Sequence, residues 1–131
     1  MKLLRRLFVV LILWRAFAPT ISPRFRPPQE HPWRSSGRTV FVGDQEFLVR
    51  EAGPDGAPVL LLIHGLAGSS LAEWYRIGPG LAEKYRVIMV DHRSHGLAPL
   101  ARDRFEVDDL ADDMAGVLDA LGVGRVSAIG Y

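Results

Sequence analysis

The stretch Pro58-Val59-Leu60-Leu61-Leu62-Ile63-His64-Gly65-Leu66-Ala67-Gly68 decides how this chain is read. Its first six residues are a continuous apolar run, the pattern of a strand covered on both faces. Glycines then break the run, allowing close backbone approach and leaving N–H groups free to point inward. A second such unit follows: Arg86–Val90 is apolar and leads into Asp91-His92-Arg93-Ser94-His95-Gly96-Leu97-Ala98. A third, Arg125-Val126-Ser127-Ala128-Ile129, ends in Gly130-Tyr131.

Between these runs the pattern is helical. Ser70–Tyr85 reads as a helix broken at Gly78-Pro79-Gly80. Asp103–Leu121 is the clearest helix, with Asp103 as cap and Glu106 three residues on, the spacing of a capping box. Val107, Leu110, Ala111, Met114, Val117, Leu118 and Leu121 repeat at helical spacing. Asp108, Asp109, Asp112, Asp113 and Asp119 are assigned to the solvated face, which accounts for the acid run without a metal. Upstream, Arg38–Val42 and Glu46–Glu51 flank Gly43-Asp44, a turn-forming dipeptide, and read as a hairpin. The order β-β-β-α-β-α-β implies an α/β fold: a mostly parallel sheet, an N-terminal antiparallel hairpin and helices on both faces.

Charge divides the chain in two. Residues 1–42 carry eight Lys/Arg against Glu30 alone, whereas residues 43–131 carry eight basic and fourteen acidic side chains. A basic, apolar arm before an acidic domain suits an anionic membrane surface and argues against nucleic acid. Lys2, Arg5 and Arg6 precede the apolar run Leu7–Trp14, the form of a signal sequence. Ala16-Phe17-Ala18 has the small-x-small form of a cleavage site, but Pro19 follows and Arg15 intervenes. Residues 1–18 are therefore read as an uncleaved anchor and the protein as membrane-associated, with secretion as the alternative. As a helix, Leu7–Ala18 would reach about 18 Å, short of the ~30 Å bilayer core, so an interfacial position is a further reading. Residues 19–37 hold five of the nine prolines and read as a linker. Residues 38–131 form the folded part. There is no cysteine, hence neither a disulfide framework nor a cysteine-based zinc site.

Three motifs at strand ends, in this order, resemble the N-terminal half of an α/β-hydrolase. In that family Gly-Tyr leads into the nucleophile of the G-x-S-x-G elbow, so the nucleophile is expected directly after Tyr131. The resemblance makes the Leu66 backbone N–H one donor of the oxyanion hole and gives His64 and Gly65 a loop-shaping role, the catalytic histidine coming from a later segment. Asp91–Ala98 is similar to the family's D-x-R-G-x-G-x-S loop, with Ser94 in place of glycine and Ala98 in place of serine. Asp91 and Arg93 are expected to tie this loop down, with His95, Gly96 and Gly130 as further motif positions. A Ser94-centred catalytic cluster is not favoured, because neighbours in one turn do not generally converge as nucleophile, base and orienter. Ser94 is instead expected to strain the turn wherever it demands positive φ. Trp74 and Tyr75 are assigned to helix packing.

The resemblance implies a serine hydrolase acting on a small ester without cofactor or metal. The family's strand order places Arg125–Ile129 beside Pro58–Ile63, and Arg86–Val90 on that strand's other side. The chain then lacks nucleophile, acid and base and is expected to be inactive alone. Two alternatives stand beside this: a catalytically inactive remnant or interaction module, and an aspartate-nucleophile enzyme of the epoxide-hydrolase or dehalogenase kind.

Overall fold

The computed structural model describes residues 28–66 and 68–130. The expected anchor (1–18), the first part of the linker, Ala67 and Tyr131 lie outside them. From Pro28 onward the linker segment is built into the fold. Pro32–Ser35 forms a helical turn, α1, with His31 as its cap. Trp33 packs on the apolar cluster around Leu60 and Leu62, and its ring lies where a side chain at Gly78 would project.

The strands are β1 (Arg38–Val42), β2 (Gln45–Ala52), β3 (Val59–Ile63), β4 (Arg86–Val90) and β5 (Ser127–Gly130). They form one sheet in the order β1-β2-β4-β3-β5, as the family pattern implied. β3, β4 and β5 run parallel, while β1–β2 and β2–β4 are antiparallel. The sheet is therefore mixed, with its parallel part confined to the three strands whose ends carry the motifs. Gly43 at φ 61 makes the tight hairpin turn. Glu51 bridges Arg38 on β1 and Arg86 on β4, at 2.8 and 2.6 Å. Burial alone would raise the Glu51 carboxyl, but hydrogen bonds from Arg86 and Arg38 outweigh it and hold it below the usual value.

Alternation along the strands sends side chains to two cores. Phe47, Val49, Leu61, Ile88 and Val90 pack with Met114 and Val117 of the long helix α4 (Val107–Ala120). On the opposite face, Leu60, Leu62, Val87 and Met89 pack with Trp74. Trp74 ends α2 (Ser70–Trp74) and is buried, in keeping with its assignment to packing.

Several local expectations need correction. The segment 70–85 is not one interrupted helix: α2 stops at Trp74, and Gly78-Pro79-Gly80 opens a second short helix, α3 (Gly78–Leu81). Proline fits a first helical turn, where its missing N–H would have no partner anyway. α4 begins three residues later than a cap at Asp103 requires. Glu106 is its cap, and its N–H donates to Asp109 Oδ2 at 2.7 Å. The last strand is Ser127–Gly130, two residues later at its start than the apolar run implied. Finally, Val107 is 78% exposed and Ala111 is exposed, whereas Asp113 is buried at 4%. Asp113 therefore leaves the acidic outer face to which periodicity assigned it, because it meets a cation from the loop after β4.

Candidate active site

Two loops meet at the carboxyl ends of the parallel strands: 64–69 after β3 and 91–98 after β4. His64 is 2% exposed. Its Nε2 accepts the His92 N–H at 2.8 Å, which places the ring proton on Nδ1. Nδ1 lies 2.8 Å from the Gly65 carbonyl oxygen and donates to it. With both nitrogens engaged by backbone, His64 bridges the two loops.

Two further restraints act on the same loop. Glu73 Oε2, on α2, accepts the Gly65 N–H at 2.9 Å. His95 Nε2 lies 2.5 Å from the Leu66 carbonyl oxygen, and its Nδ1 lies 3.1 Å from the Arg93 carbonyl oxygen. The Gly65–Leu66 peptide is trans, so its C=O and N–H point in opposite directions. Holding the Gly65 carbonyl toward His64 therefore turns the Leu66 N–H away from it. That N–H has no hydrogen-bond partner among the described residues, and Leu66 is 89% exposed. β5 delivers the third motif to the same end of the sheet, with Gly130 paired to Ile63.

The second loop is held from below. Asp91 Oδ1 accepts the Ser70 N–H at 2.6 Å and Oδ2 the Leu97 N–H at 2.9 Å. Gly96 sits at φ 51 directly against this carboxylate, where any Cβ would collide with it. Arg93 makes a two-pronged pair with Asp113: Nε to Oδ2 at 2.7 Å and Nη2 to Oδ1 at 2.6 Å. The Asp113 bond raises the Arg93 pKa against the opposing effect of burial, so the guanidinium stays charged. Asp91 thus ties the loop to the start of α2 and Arg93 ties it to α4. Ser94 adopts φ 65, the strained conformation foreseen for a serine standing where the family has glycine. Its hydroxyl accepts the Ala101 N–H at 3.0 Å, which ties it to the loop backbone.

His64, His92 and His95 form a compact group, with ring centroids 4.4 Å apart for His64–His92 and 5.3 Å for His64–His95. No set of three ligating side chains among the described residues has the geometry to hold a metal. His92 is 8% exposed and its Nδ1 has no partner. Burial, followed by the neighbouring His64, lowers its pKa below the ordinary 6.5. A group with a depressed folded pKa binds fewer protons folded than unfolded, so acidification favours unfolding. Stability should therefore fall as pH drops below about 6.5, by at most about 1.4 kcal/mol per pH unit from one such group. His64, His95 and Asp113 also face it, so the comparison is with His92→Gln. Denaturant melts from pH 8 to 5 should show a shallower acid loss in that variant.

Glu73 and Asp113 are the two site-forming residues that sequence reasoning missed. Glu73 had a legible signal, lying on the first turn of a helix that starts just after the glycine loop. Asp113 was masked by the acid run around it.

Residues 58–131 match the family model for the alpha/beta hydrolase fold, and the chain belongs to that family. It is 37% identical over 105 residues to a magnesium-chelatase 30 kDa subunit of Rhodobacter capsulatus, covering 79% of this chain and 37% of that protein. It is 32% identical over 117 residues to human epoxide hydrolase 4, covering 81% of this chain and 32% of the relative. Among solved structures, a bacterial membrane phospholipase A superposes with a TM-score of 0.72 at 27% identity, over 100% of this chain and 44% of its own. The chain spans about a third of the length of the curated relatives it matches.

Proposed function

We propose that this chain is the N-terminal part of a membrane-associated serine hydrolase that cleaves a small ester. The observation that carries the reading is the unpartnered Leu66 N–H on a loop whose neighbouring peptide groups are engaged by His64, Glu73 and His95. Such a donor is valuable only where negative charge develops, as on the carbonyl oxygen of an ester under attack. In this reading a serine after Tyr131 attacks the carbonyl carbon while a histidine from the C-terminal half takes its proton. The carbonyl π electrons move to oxygen, and Leu66 N–H donates to that oxyanion. The C=O then reforms as the alcohol leaves with the proton from the histidine, and water, deprotonated by the same histidine, attacks the acyl-serine to release the acid and regenerate the serine. The register of β5 against β3 supports the assignment, since the chain leaving Gly130 starts level with the strand end that carries His64.

The test uses a chain that includes the C-terminal half. It should hydrolyse activated esters and be labelled by a fluorophosphonate. Leu66→Pro removes the N–H donor, though it also fixes φ there and restricts Gly65, and should lower kcat by roughly 10²–10³. Unaltered kcat would remove Leu66 from the mechanism. The 131-residue chain alone should give no turnover above buffer. All four β5 residues are exposed, Ile129 at 41%, so it should also associate through that edge.

A second reading is an aspartate nucleophile opening an epoxide, which the similarity to human epoxide hydrolase 4 favours. Epoxide turnover without fluorophosphonate labelling would select it. The third possibility, an inactive remnant or interaction module, predicts neither activity in the longer chain.

Membrane attachment rests on the charge and apolar pattern of residues 1–18, which lie outside the described residues. Among the described residues no helix is long and apolar enough to cross a membrane. Likeness to a membrane phospholipase A over the whole chain supports the attachment. Deleting residues 1–27 should move the protein from the membrane to the soluble fraction. The cut belongs there because Trp33 is part of the fold. Continued sedimentation with membranes would count against the anchor, and a mature N-terminus just after Ala18 would establish secretion instead.

A further inference from the structure

The glycine loop after β3 is folded around the Glu73 carboxylate. Oε2 accepts the Gly65 N–H at 2.9 Å. Oε1 lies where a side chain at Gly68 would project, and the three atoms nearest to such a Cβ all belong to Glu73. Gly68 is not among the residues with positive φ. Its backbone would accept an alanine, and it is the Glu73 carboxylate that excludes one. The Gly68 N–H closes the turn on the Gly65 carbonyl at 3.2 Å, and the same carbonyl accepts the His64 Nδ1–H. Glu73 does not drift with the loop. Its neighbours on α2, Leu71 and Trp74, are buried, and the Ser70 N–H pins the start of that helix to Asp91.

We infer that Glu73 is a positioning residue of the candidate active site: by holding the Gly65 N–H it fixes the turn of the Gly65–Leu66 peptide and so aims the Leu66 N–H at the reacting carbonyl oxygen. Its effect on turnover rests on the hydrolase reading, whereas its effect on the loop rests on the contacts alone. The Gly65 N–H belongs to the peptide plane before that residue and the Gly65 C=O to the plane after it. Glu73 holds the first plane and His64 the second, which together set φ and ψ of the residue type with the widest conformational freedom. Without Glu73 only the second plane is held, and the direction of the Leu66 N–H is no longer fixed. A misplacement of about 1 Å is enough to cost about 10²-fold in rate.

The test uses the chain that includes the C-terminal half, with kcat expressed per site labelled by fluorophosphonate, so that unfolded protein does not enter the rate. Glu73→Ala should lower kcat about 10- to 10²-fold at nearly unchanged KM. Glu73→Gln keeps an oxygen for the Gly65 N–H and should stay within about threefold of the parent. Gly68→Ala retains Glu73 but pushes its carboxylate off the loop, so it should reproduce the Glu73→Ala loss. The double variant should be no slower than either single one, since both break the same bond. Losses that multiply, a Gln variant as slow as the Ala variant, or an unaltered kcat in Glu73→Ala each overturn the inference. Should Glu73→Ala fail to fold, Gly68→Ala against Glu73→Gln decides. Amide hydrogen exchange supplies a readout without turnover: the Gly65 N–H should exchange at least about tenfold faster in Glu73→Ala and Gly68→Ala, but not in Glu73→Gln. A parent that hydrolyses no ester removes the hydrolase reading, and the Gly65 exchange rates still decide whether Glu73 sets the loop. Equal rates in the parent and the Ala variants refute that role.

Discussion

Asp113→Ala should destabilise the fold by about 3–5 kcal/mol, because it leaves the Arg93 guanidinium without its carboxylate in a largely buried position. Arg93 is 17% and Asp113 5% exposed at the side chain, and the pair is bidentate. Among the described residues that guanidinium's other hydrogen bond is to the Asp109 carbonyl oxygen at 3.4 Å, too weak to replace it. The pair fastens α4 to the loop that carries His92 and His95, so losing it should also loosen His95 from the Leu66 carbonyl. Replacing both partners separates the two contributions. Arg93→Leu with Asp113→Leu removes the charges together and should recover much of the lost stability, since apolar pairs often replace buried ion pairs at little cost. Urea melts of the four members of this cycle measure the coupling. A single-variant loss below about 1 kcal/mol would mean that water, not Asp113, satisfies Arg93.

The sheet order was legible because strand ends, glycine loops and turn dipeptides are local signals. Continuous apolar runs at 58–63 and 86–90 became β3 and β4 almost residue for residue. His64, Asp91 and Arg93 were singled out by their motif positions, and their hydrogen-bond partners came only with the tertiary structure. What the sequence hid were partners fixed by tertiary approach. Asp113 has four acidic companions on one helix, and periodicity cannot tell which of them turns inward to meet an arginine twenty residues upstream. Arg50 looks like an ordinary outward residue of a hairpin strand. It is buried instead, with its Nε donating to the Trp33 carbonyl. Helix starts failed for a related reason. Both Asp103 and Glu106 can cap, and the choice depends on which carboxylate reaches back to the N–H, here Asp109 to Glu106.

Gly96→Ala should be nearly as damaging as the loss of Asp113. Gly96 combines two demands that each exclude a side chain. Its φ of 51 costs an alanine about 1 kcal/mol or more, and a Cβ would run into the Asp91 carboxylate. Asp91 cannot step aside cheaply. Its two oxygens hold the Ser70 and Leu97 N–H groups, and moving it strands buried donors at about 1–3 kcal/mol each. The expected loss is about 3–4 kcal/mol, read from urea or thermal melts. In a chain that includes the C-terminal half, ester turnover should fall with it, because the same loop presents His95 to Leu66. The neighbouring position separates backbone strain from collision. Ser94 also has positive φ, and its hydroxyl holds the Ala101 N–H. Ser94→Ala loses that bond and keeps the strain, whereas Ser94→Gly loses the bond and relieves it. Glycine should therefore exceed alanine in stability by about 1 kcal/mol at position 94. At position 96 the order is the same but the gap is about threefold larger, and the excess is the collision with Asp91. Equal gaps at the two positions would show that strain alone accounts for Gly96 and that the Asp91 carboxylate has room to move.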